Sequence, residues 1–337
     1  MIVEATGKLI GGASLTHDEA AAAMTEIMAG TPTPAQFGSF VAALRMKGET
    51  AEEIAAMGMV MRDRALRVPV DAAGLVDVVG TGGDGQDTFN VSTAAAFVAS
   101  GAGTRIAKHG NRAATSQAGS ADVLEALGVK IELAPDAVAA CIREAGFGFM
   151  FAPVFHPAMK FAAPLRREIG IPTVFNVLGP LTNPAGVPRQ VLGVARPGLV
   201  ELMAGALARM GAEHTLVVHG LEGLDEISIA GPSRVAAVRD GEIEIHEITP
   251  EDCGLERAPL SAVAGGNAAA NAEMLRAVLF GESGPRTDIV LLNAAAAIAV
   301  AGLAADIPAA ILVARESIAS GKAAAALDRL VAVSNRG

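Results

Sequence analysis

The sequence predicts an α/β protein with a small N-terminal helical domain, residues 1–68, and a larger domain, residues 69–337, built on a mainly parallel sheet flanked by helices. Three observations carry this reading. Residues 1 to 66 hold capped amphipathic helices and no strand pattern. After Pro69, short apolar runs ending in glycine alternate with helical segments, the pattern of βαβ units buried on both faces. Near the middle of the second part, alternating runs flank Asp240-Gly241, a hairpin signal. The length of 337 residues suits two domains, and a hydrophobic content of 51% supports a large core. With 11 Phe and no Trp or Tyr, that core must be built from alanine, glycine and aliphatic residues, which permits close helix–strand packing.

The elements follow in order. "LTHDEAAAAMTEIMAG" predicts a helix with Thr16 as N-cap and Gly30 as stop. "TPTPAQFGSFVAALRMKG" restarts at Thr31 or Thr33, each followed by a proline suited to the first helical position, and stops at Gly48. Thr50 and Glu53 form a capping box for the third helix. "GLVDVVG", "TRIAKHG", "FGFMFAP", "RQVLGVA" and "HTLVVHG" read as strands, and "SRVAAVRDGEIEIHEI" as the hairpin. Helices are predicted for Val91–Ser100, Ser120–Leu127, Pro135–Ala145, His156–Ile169 and Leu199–Met210, and over most of the last seventy residues. The apolar run Ile289–Ala305, rich in Ala and carrying Asn293, reads as a buried core helix and not as a membrane span.

Composition excludes some functions. Lys plus Arg is 26 and Asp plus Glu 36, so the net charge of −10 argues against non-specific nucleic-acid binding, which needs a basic face. Cys141 and Cys253 are too few and too distant for a disulfide framework or a zinc site, and fit a reducing compartment. "MIVEATGKLIGG" has no apolar signal region, so a cytoplasmic location and no membrane partner are expected.

The chemistry concentrates in "VVGTGGDGQDTFNVSTAAAF". Gly80, Gly82 and Gly85 spell G-x-G-x-x-G, but a strand, a glycine turn and a helix start make an anion site for a sugar phosphate as readily as for NAD. Two features oppose NAD: Asn90, the expected helix N-cap, comes well after Gly80, and Ala102 to Arg105 offer no carboxylate for a ribose. The next strand ends in "AKHGNRAATSQAGSAD", where Lys108, His109 and Arg112 converge with Asn111, Thr115 and Ser116 at the same sheet edge. Two adjoining anion loops suit a ligand with two separated phosphate groups.

"GTGGDGQDTFNVST", "KHGNRAATSQAGSADVLEALG", "FAPVFHPAMK" with "PLRREIG", "FNVLGPLTNPA" and "GLDEIS" occur in this order. Together, over residues 10 to 330, they resemble the anthranilate phosphoribosyltransferases of tryptophan biosynthesis, with "KHGNR" and "NVLGPLTNP" the most specific spellings. The resemblance implies a nucleoside phosphorylase/phosphoribosyltransferase-like fold, its helical domain completed by helices around 160–187. It also implies a cleft active site, a homodimer, and 5-phosphoribosyl 1-diphosphate (PRPP), anthranilate and Mg2+ (two ions per subunit) as ligands.

Residue by residue, the resemblance assigns PRPP to Gly80, Gly82, Gly83, Asp84, Thr88, Asn90, Val91, Ser92, Thr93, Lys108, His109, Gly110, Asn111, Arg112, Ala113, Ala114, Thr115, Ser116 and Ser120. The physical reasons are legible: glycine N–H groups approach a diphosphate closely, the helix start at Asn90–Thr93 offers free donors, and Lys108 is a mobile point charge suited to phosphate. Gln117 stands where the family often has a basic residue. Anthranilate falls to Gly80, Asn111, Pro153, His156, Arg166 and Gly179, with the planar fork of Arg166 matched to the carboxylate. Magnesium falls to Ser92 and to Asp225 and Glu226, read as an exposed acidic pair beyond a strand end. His109 and His156 are read as structural or ring-contacting residues rather than bases, because an aromatic amine is already neutral. No covalent enzyme intermediate is needed. A pyrimidine nucleoside phosphorylase or a non-catalytic nucleic-acid-binding protein of the same fold are the alternatives; the second predicts a basic cleft and a damaged "KHGN" or "DE" motif, both of which are intact here.

Overall fold

A computed structural model of the chain describes residues 1–113 and 117–336, so the expectations at Ala114, Thr115 and Ser116 lie outside the described residues. The N-terminal part holds four helices, α1 (Ile2–Ile10), α2 (His17–Ala29), α3 (Pro34–Lys47) and α4 (Ala51–Asp63). The sequence reading has one fewer: it misses α1, which buries Ile2, Ala5, Thr6 and Leu9 along one stripe and carries no side-chain N-cap to announce it. Helices α2, α3 and α4 each begin in a capping box, at Thr16, Thr33 and Thr50, so α3 starts at the second of its two threonines. Glu53 does more than cap. Fully buried, it accepts the Thr50 and Leu15 N–H groups at 2.8 Å each and pairs with Lys47 at 2.6 Å, tying three helix ends together.

The sheet runs in the order β3 (Phe147–Phe151), β2 (Arg105–Gly110), β1 (Leu75–Gly80), β4 (Arg189–Gly193), β5 (His214–Gly220), β6 (Ser233–Arg239) and β7 (Glu242–Ile248). The first five are parallel; β6 and β7 add as an antiparallel hairpin, turned at Asp240 (φ 49°) and Gly241 (φ 86°). Both central residues have positive φ, as a type I′ turn requires. Because β2 and β4 lie on opposite sides of β1, the strand order reverses there, and such a switch point opens a crevice at the carboxyl edge.

The remaining helices are α5 (Val91–Gly101), α6 (Ser120–Ala126), α7 (Pro135–Ala145), α8 (Ala152–Phe155), α9 (Met159–Ile169), α10 (Phe175–Leu178), α11 (Leu199–Arg209), α12 (Ala268–Leu279), α13 (Pro285–Val300), α14 (Ile307–Ala319) and α15 (Lys322–Ser334). One core lies between one sheet face and α5, α7 and α12 to α15. A second lies between the other face, α11 and the four N-terminal helices, with Ala162 of α9 and Phe175 of α10 included. Every residue of α13 from Ile289 to Val300 is buried, and among the described residues no helix is long and apolar enough to cross a membrane. Two boundaries differ from the sequence reading. β3 stops at Phe151, leaving Pro153 in the short α8, and the helix expected from His156 begins at Met159.

Candidate active site

The carboxyl ends of β1 and β2 define the site, and they do not stay together. Their register holds only for Leu75↔Arg105 and Val76↔Ile106; beyond that the strands part. Parting leaves backbone groups without ladder partners, each costing about 1–3 kcal/mol if buried unmet. Side chains meet them. Asp77 Oδ1 accepts the His109 N–H at 3.2 Å, and Asn183 Nδ2 donates to Asp77 Oδ2 at 2.7 Å and to the Ala107 carbonyl at 2.8 Å. Burial lifts the Asp77 carboxyl to about 6, against the pull of Lys108 and these donors.

Lys108 projects into the same gap. The sequence predicts a mobile charge; the structure pins it, 2% exposed, with Nζ donating to the Val78 carbonyl and lying 3.4 Å from Ser92 Oγ. Burial lowers its affinity for its proton, while Asp77, Glu226 and Asp225 oppose that shift.

Beyond β1, Gly82, Gly83 and Gly85 take φ of 64°, 76° and 71°, a left-handed run that only glycine adopts without strain. Asn90 holds the N-cap position of α5 but does not cap it: its amide donates to Ala118 O at 3.1 Å and accepts from Asn271 at 2.9 Å. Val91 is buried with its N–H on Phe89 O, and the fully buried Thr93 hydroxyl has no partner among the described residues. Thr88 bridges to Ala264.

The acidic pair is not exposed. Asp225 and Glu226 are half-buried, because Leu224 and Ile227 on either side enter the core. Ile227 is held at both backbone groups by Asn293 of α13, each bond 2.9 Å. Asp225 Oδ2 accepts the Gly82 N–H at 2.7 Å and Glu226 Oε1 the Ser92 N–H at 3.1 Å. The two carboxylates therefore rest on donors of the glycine loop and the α5 start. A Cβ at Gly193 of β4 would overlap the Asp225 carbonyl, so this glycine lets the backbone of the acidic loop approach the sheet, while a Cβ at Gly80 would meet the Asp225 carboxylate tip. Asp84 lies beside them, its Oδ2 3.4 Å from Asp225 N. Burial and the Asp84 charge push the Asp225 carboxyl up to about 7, and burial with the Asp225 charge raises Glu226 well above the carboxylate range. Crowded carboxylates that resist ionisation, beside a hydroxyl, are the hard oxygen set a magnesium ion would relieve.

The cations of the second loop do not converge as the sequence predicts. Arg112 pairs with Asp122 at 2.9 Å and with Glu125, and lies 5.4 Å from the Phe151 ring centre. Asp122 also accepts the Ala113 and Gly119 N–H groups, so the loop folds around the start of α6, where Ser120 Oγ donates to Asn111 O at 3.4 Å. Gly110 sits against Ser120. The His109 ring turns to His156, with Nε2 atoms 3.2 Å apart. Burial drops His109 to about 3 and His156 to about 4, so both are neutral at pH 7.

Those histidines open onto a cavity of about 400 Å³ between the helical part and the sheet edge. Asn111, Pro153, His156, Arg166 and Gly179, five of the six positions assigned to anthranilate, line it; Gly80 does not. Arg166 is half-buried and lies 5.4 Å from the Phe175 ring centre, with no carboxylate in ion-pair range among the described residues. Met61, Lys160, Phe175 and Thr182 also line the cavity and go unread in the sequence. Phe175 had a signal, as one of few aromatics at the head of a motif that draws attention to its glycine and prolines.

Sequence profiles of the glycosyl transferase family match the chain as its helical bundle domain over residues 3–65 and its α/β domain over residues 72–324. The anthranilate phosphoribosyltransferase of Chloroflexus aurantiacus is 56% identical over 335 residues, covering 99% of this chain and 98% of that one. The crystal structure of the Thermus thermophilus enzyme of that name superposes with a TM-score of 0.93 at 48% identity, covering 98% of this chain and 99% of that one. The Saccharomyces cerevisiae enzyme in complex with PRPP and Mg gives 0.90 at 33%, covering 99% of this chain and 97% of that one. A split sheet edge with an acidic pair on one side and an unpaired arginine on the other thus sits in a chain matched end to end, and the chain belongs to the anthranilate phosphoribosyltransferase family.

Proposed function

We propose that this chain transfers the 5-phosphoribosyl group of PRPP to the amine of anthranilate, releasing diphosphate. One observation carries the choice of acceptor: Arg166, half-buried and without an anionic partner among the described residues, faces a cavity shared with Asn111 and the neutral histidine pair. An aromatic carboxylate supplies the missing anion and fills the apolar walls. A nucleobase supplies no anion, which disfavours a phosphorylase.

PRPP occupies Gly80, Gly82, Gly83 and Asp84 of the glycine loop, Thr88, the α5 start from Asn90 to Thr93, and the second loop from Lys108 through position 116 with Ser120. Val91 and Thr93 are buried, so neither side chain reaches the surface of the loop, and the Val91 N–H is already on Phe89 O. Asp225, Glu226 and Ser92 would hold magnesium, two ions per subunit, which neutralises the leaving diphosphate when bound. The amine attacks the anomeric carbon as the C–O bond to diphosphate breaks, and the ammonium proton leaves to solvent or to a phosphate oxygen. The protein contributes orientation: Arg166 fixes the carboxylate, and the neutral imidazoles add no repelling charge beside an oxocarbenium-like centre. A homodimer, a cytoplasmic location and domains divided near residue 68 complete the reading.

Anthranilate fluorescence should disappear only with protein, PRPP and magnesium together. Persistence of fluorescence with all three present, at any pH where the protein is folded, would falsify this function.

A further inference from the structure

The gap between β1 and β2 is bridged by two buried side chains, Asp77 and Asn183. Asp77 is fully buried and Asn183 3% exposed. The Asn183 amide is oriented without ambiguity: Oδ1 accepts the Ala185 N–H at 2.9 Å, so Nδ2 must face its two acceptors, Asp77 Oδ2 and Ala107 O. Asp77 in turn takes the His109 N–H. The backbone on both sides of Lys108 is thereby fixed, at the carbonyl before it and the amide after it.

Three segments meet at this one amide. β1 runs from Asp77 to the glycine loop, β2 runs from Ala107 to Lys108 and His109, and the third segment leads back to Gly179, which walls the acceptor cavity. That third segment meets the second again, since His109 and Gly179 line the same cavity, and Gly179 is braced by Thr182 Oγ1, which donates to its carbonyl at 2.8 Å.

We propose that Asp77 and Asn183 are positioning residues that hold the acceptor cavity in register with the PRPP loops. The proposal rests on the phosphoribosyl transfer inferred above and deepens it. Among the described residues, Arg166, the glycine loop and the acidic pair make no bond to either residue; Asp77 and Asn183 act on the end of β2, at Ala107 and His109. What depends on them is the relative placement of the subsites. In a reaction driven by orientation, a displacement near 1 Å costs about 100-fold in rate with little change in the binding of either substrate.

The test uses the full chain with Asn183→Ser, Asn183→Asp, Asp77→Asn and the double variant Asp77→Asn with Asn183→Asp. Folded fraction is read from thermal melts, and kcat and both KM values are taken per folded molecule. In Asn183→Ser, kcat should fall at least tenfold while each KM stays within about threefold of wild type. Asn183→Asp sets two carboxylates face to face and should be worse. The double variant reinstates one donor–acceptor pair and should recover at least tenfold over Asn183→Asp, yet remain below wild type because Ala107 O loses its donor. Unchanged kcat per folded molecule, or a loss carried wholly by one KM, overturns the proposal. If the single variants do not fold, the double variant decides, with wild-type kcat in it overturning the proposal. A wild type without turnover defeats the transferase reading instead, so the two failures are distinct.

Discussion

Replacing Arg166 by leucine separates the function of this arginine from its role in the fold. The Arg166 guanidinium is half-buried over Phe175 and has no anion in range among the described residues. Burial holds its proton affinity below the usual arginine range. Removing it loses a cation–π contact of about 0.5–1 kcal/mol, but also removes a partly desolvated charge without a counter-ion, so the two effects oppose. The melting temperature should therefore move by no more than roughly 4 °C. Activity responds differently. A bidentate charge-assisted contact with a carboxylate contributes about 1.5–3 kcal/mol, which at 1.4 kcal/mol per decade is about one to two decades in kcat/KM for anthranilate. Arg166→Lys keeps the charge and loses the fork, so about one decade is expected. Steady-state fluorescence assays, varying each substrate with the other saturating, give both Michaelis constants. An unchanged anthranilate constant, or a PRPP constant that rises equally, would show that Arg166 does not read the carboxylate.

Three further outcomes are expected. Gly83→Val should raise the PRPP Michaelis constant at least about tenfold in a folded protein, because φ at 76° strains a branched residue and its side chain would project into the open space above the loop; wild-type affinity in a calorimetric titration rules this out. The buried histidines sit at about 3 and 4, below their ordinary value near 6.5, so the stability they contribute is complete above pH 6.5 and lost as pH falls toward 4 and then 3. His109→Gln with His156→Gln should flatten the melting temperature in that window relative to wild type, and parallel curves refute the assignment. Glu53→Ala leaves Lys47 without its counter-ion, with only Ser14 Oγ at 3.2 Å, and the Leu15 and Thr50 N–H groups unmet, and should cost about 3–5 kcal/mol in denaturant unfolding; a loss under about 1 kcal/mol would mean that the three helix ends are held by other means.

What the sequence shows and hides follows from what periodicity reports. Runs such as "LVDVVG" are apolar because both sheet faces are covered, so the strands are legible, as are helices opened by Thr16 or Thr50. Helix α1 has no capping side chain and is hidden. Aspartate at 77 looks like a defect in a strand, since nothing local says that the next strand will diverge and leave an amide for it to accept. Charges are read least well. Arg112 is a phosphate ligand by motif, but its ion pairs lie with Asp122 and Glu125, a pairing set by how the loop wraps α6. The acidic pair reads as solvated because adjacent Asp and Glu in a loop usually are, whereas its burial comes from the flanking Leu224 and Ile227 turning inward. The cavity is legible only through the resemblance, because its walls come from segments more than a hundred residues apart.

The grip of Asn293 on Ile227 also sets how fast different parts of the site can breathe. Ile227 follows the acidic pair directly, is 1% exposed, and gives both backbone groups to a side chain on the buried stretch of α13. Its amide proton can exchange with solvent only when that helix itself lets go, an event close to global unfolding. The loop at Asp84 to Gln86 is held by side chains alone: Asp84 accepts the Gln86 N–H at 3.2 Å and the Asp225 N–H at 3.4 Å, and Gln86 Nε2 donates to the Glu222 carbonyl at 3.1 Å. One wall of the site thus shares the lifetime of the whole domain, while the opposite wall opens and recloses many times within it. Native-state hydrogen exchange would display the contrast as slow, unfolding-limited exchange at Ile227 beside rapid exchange at Gly83 and Gly85. A substrate entering from the glycine side therefore meets an adaptable rim first and an immovable floor last.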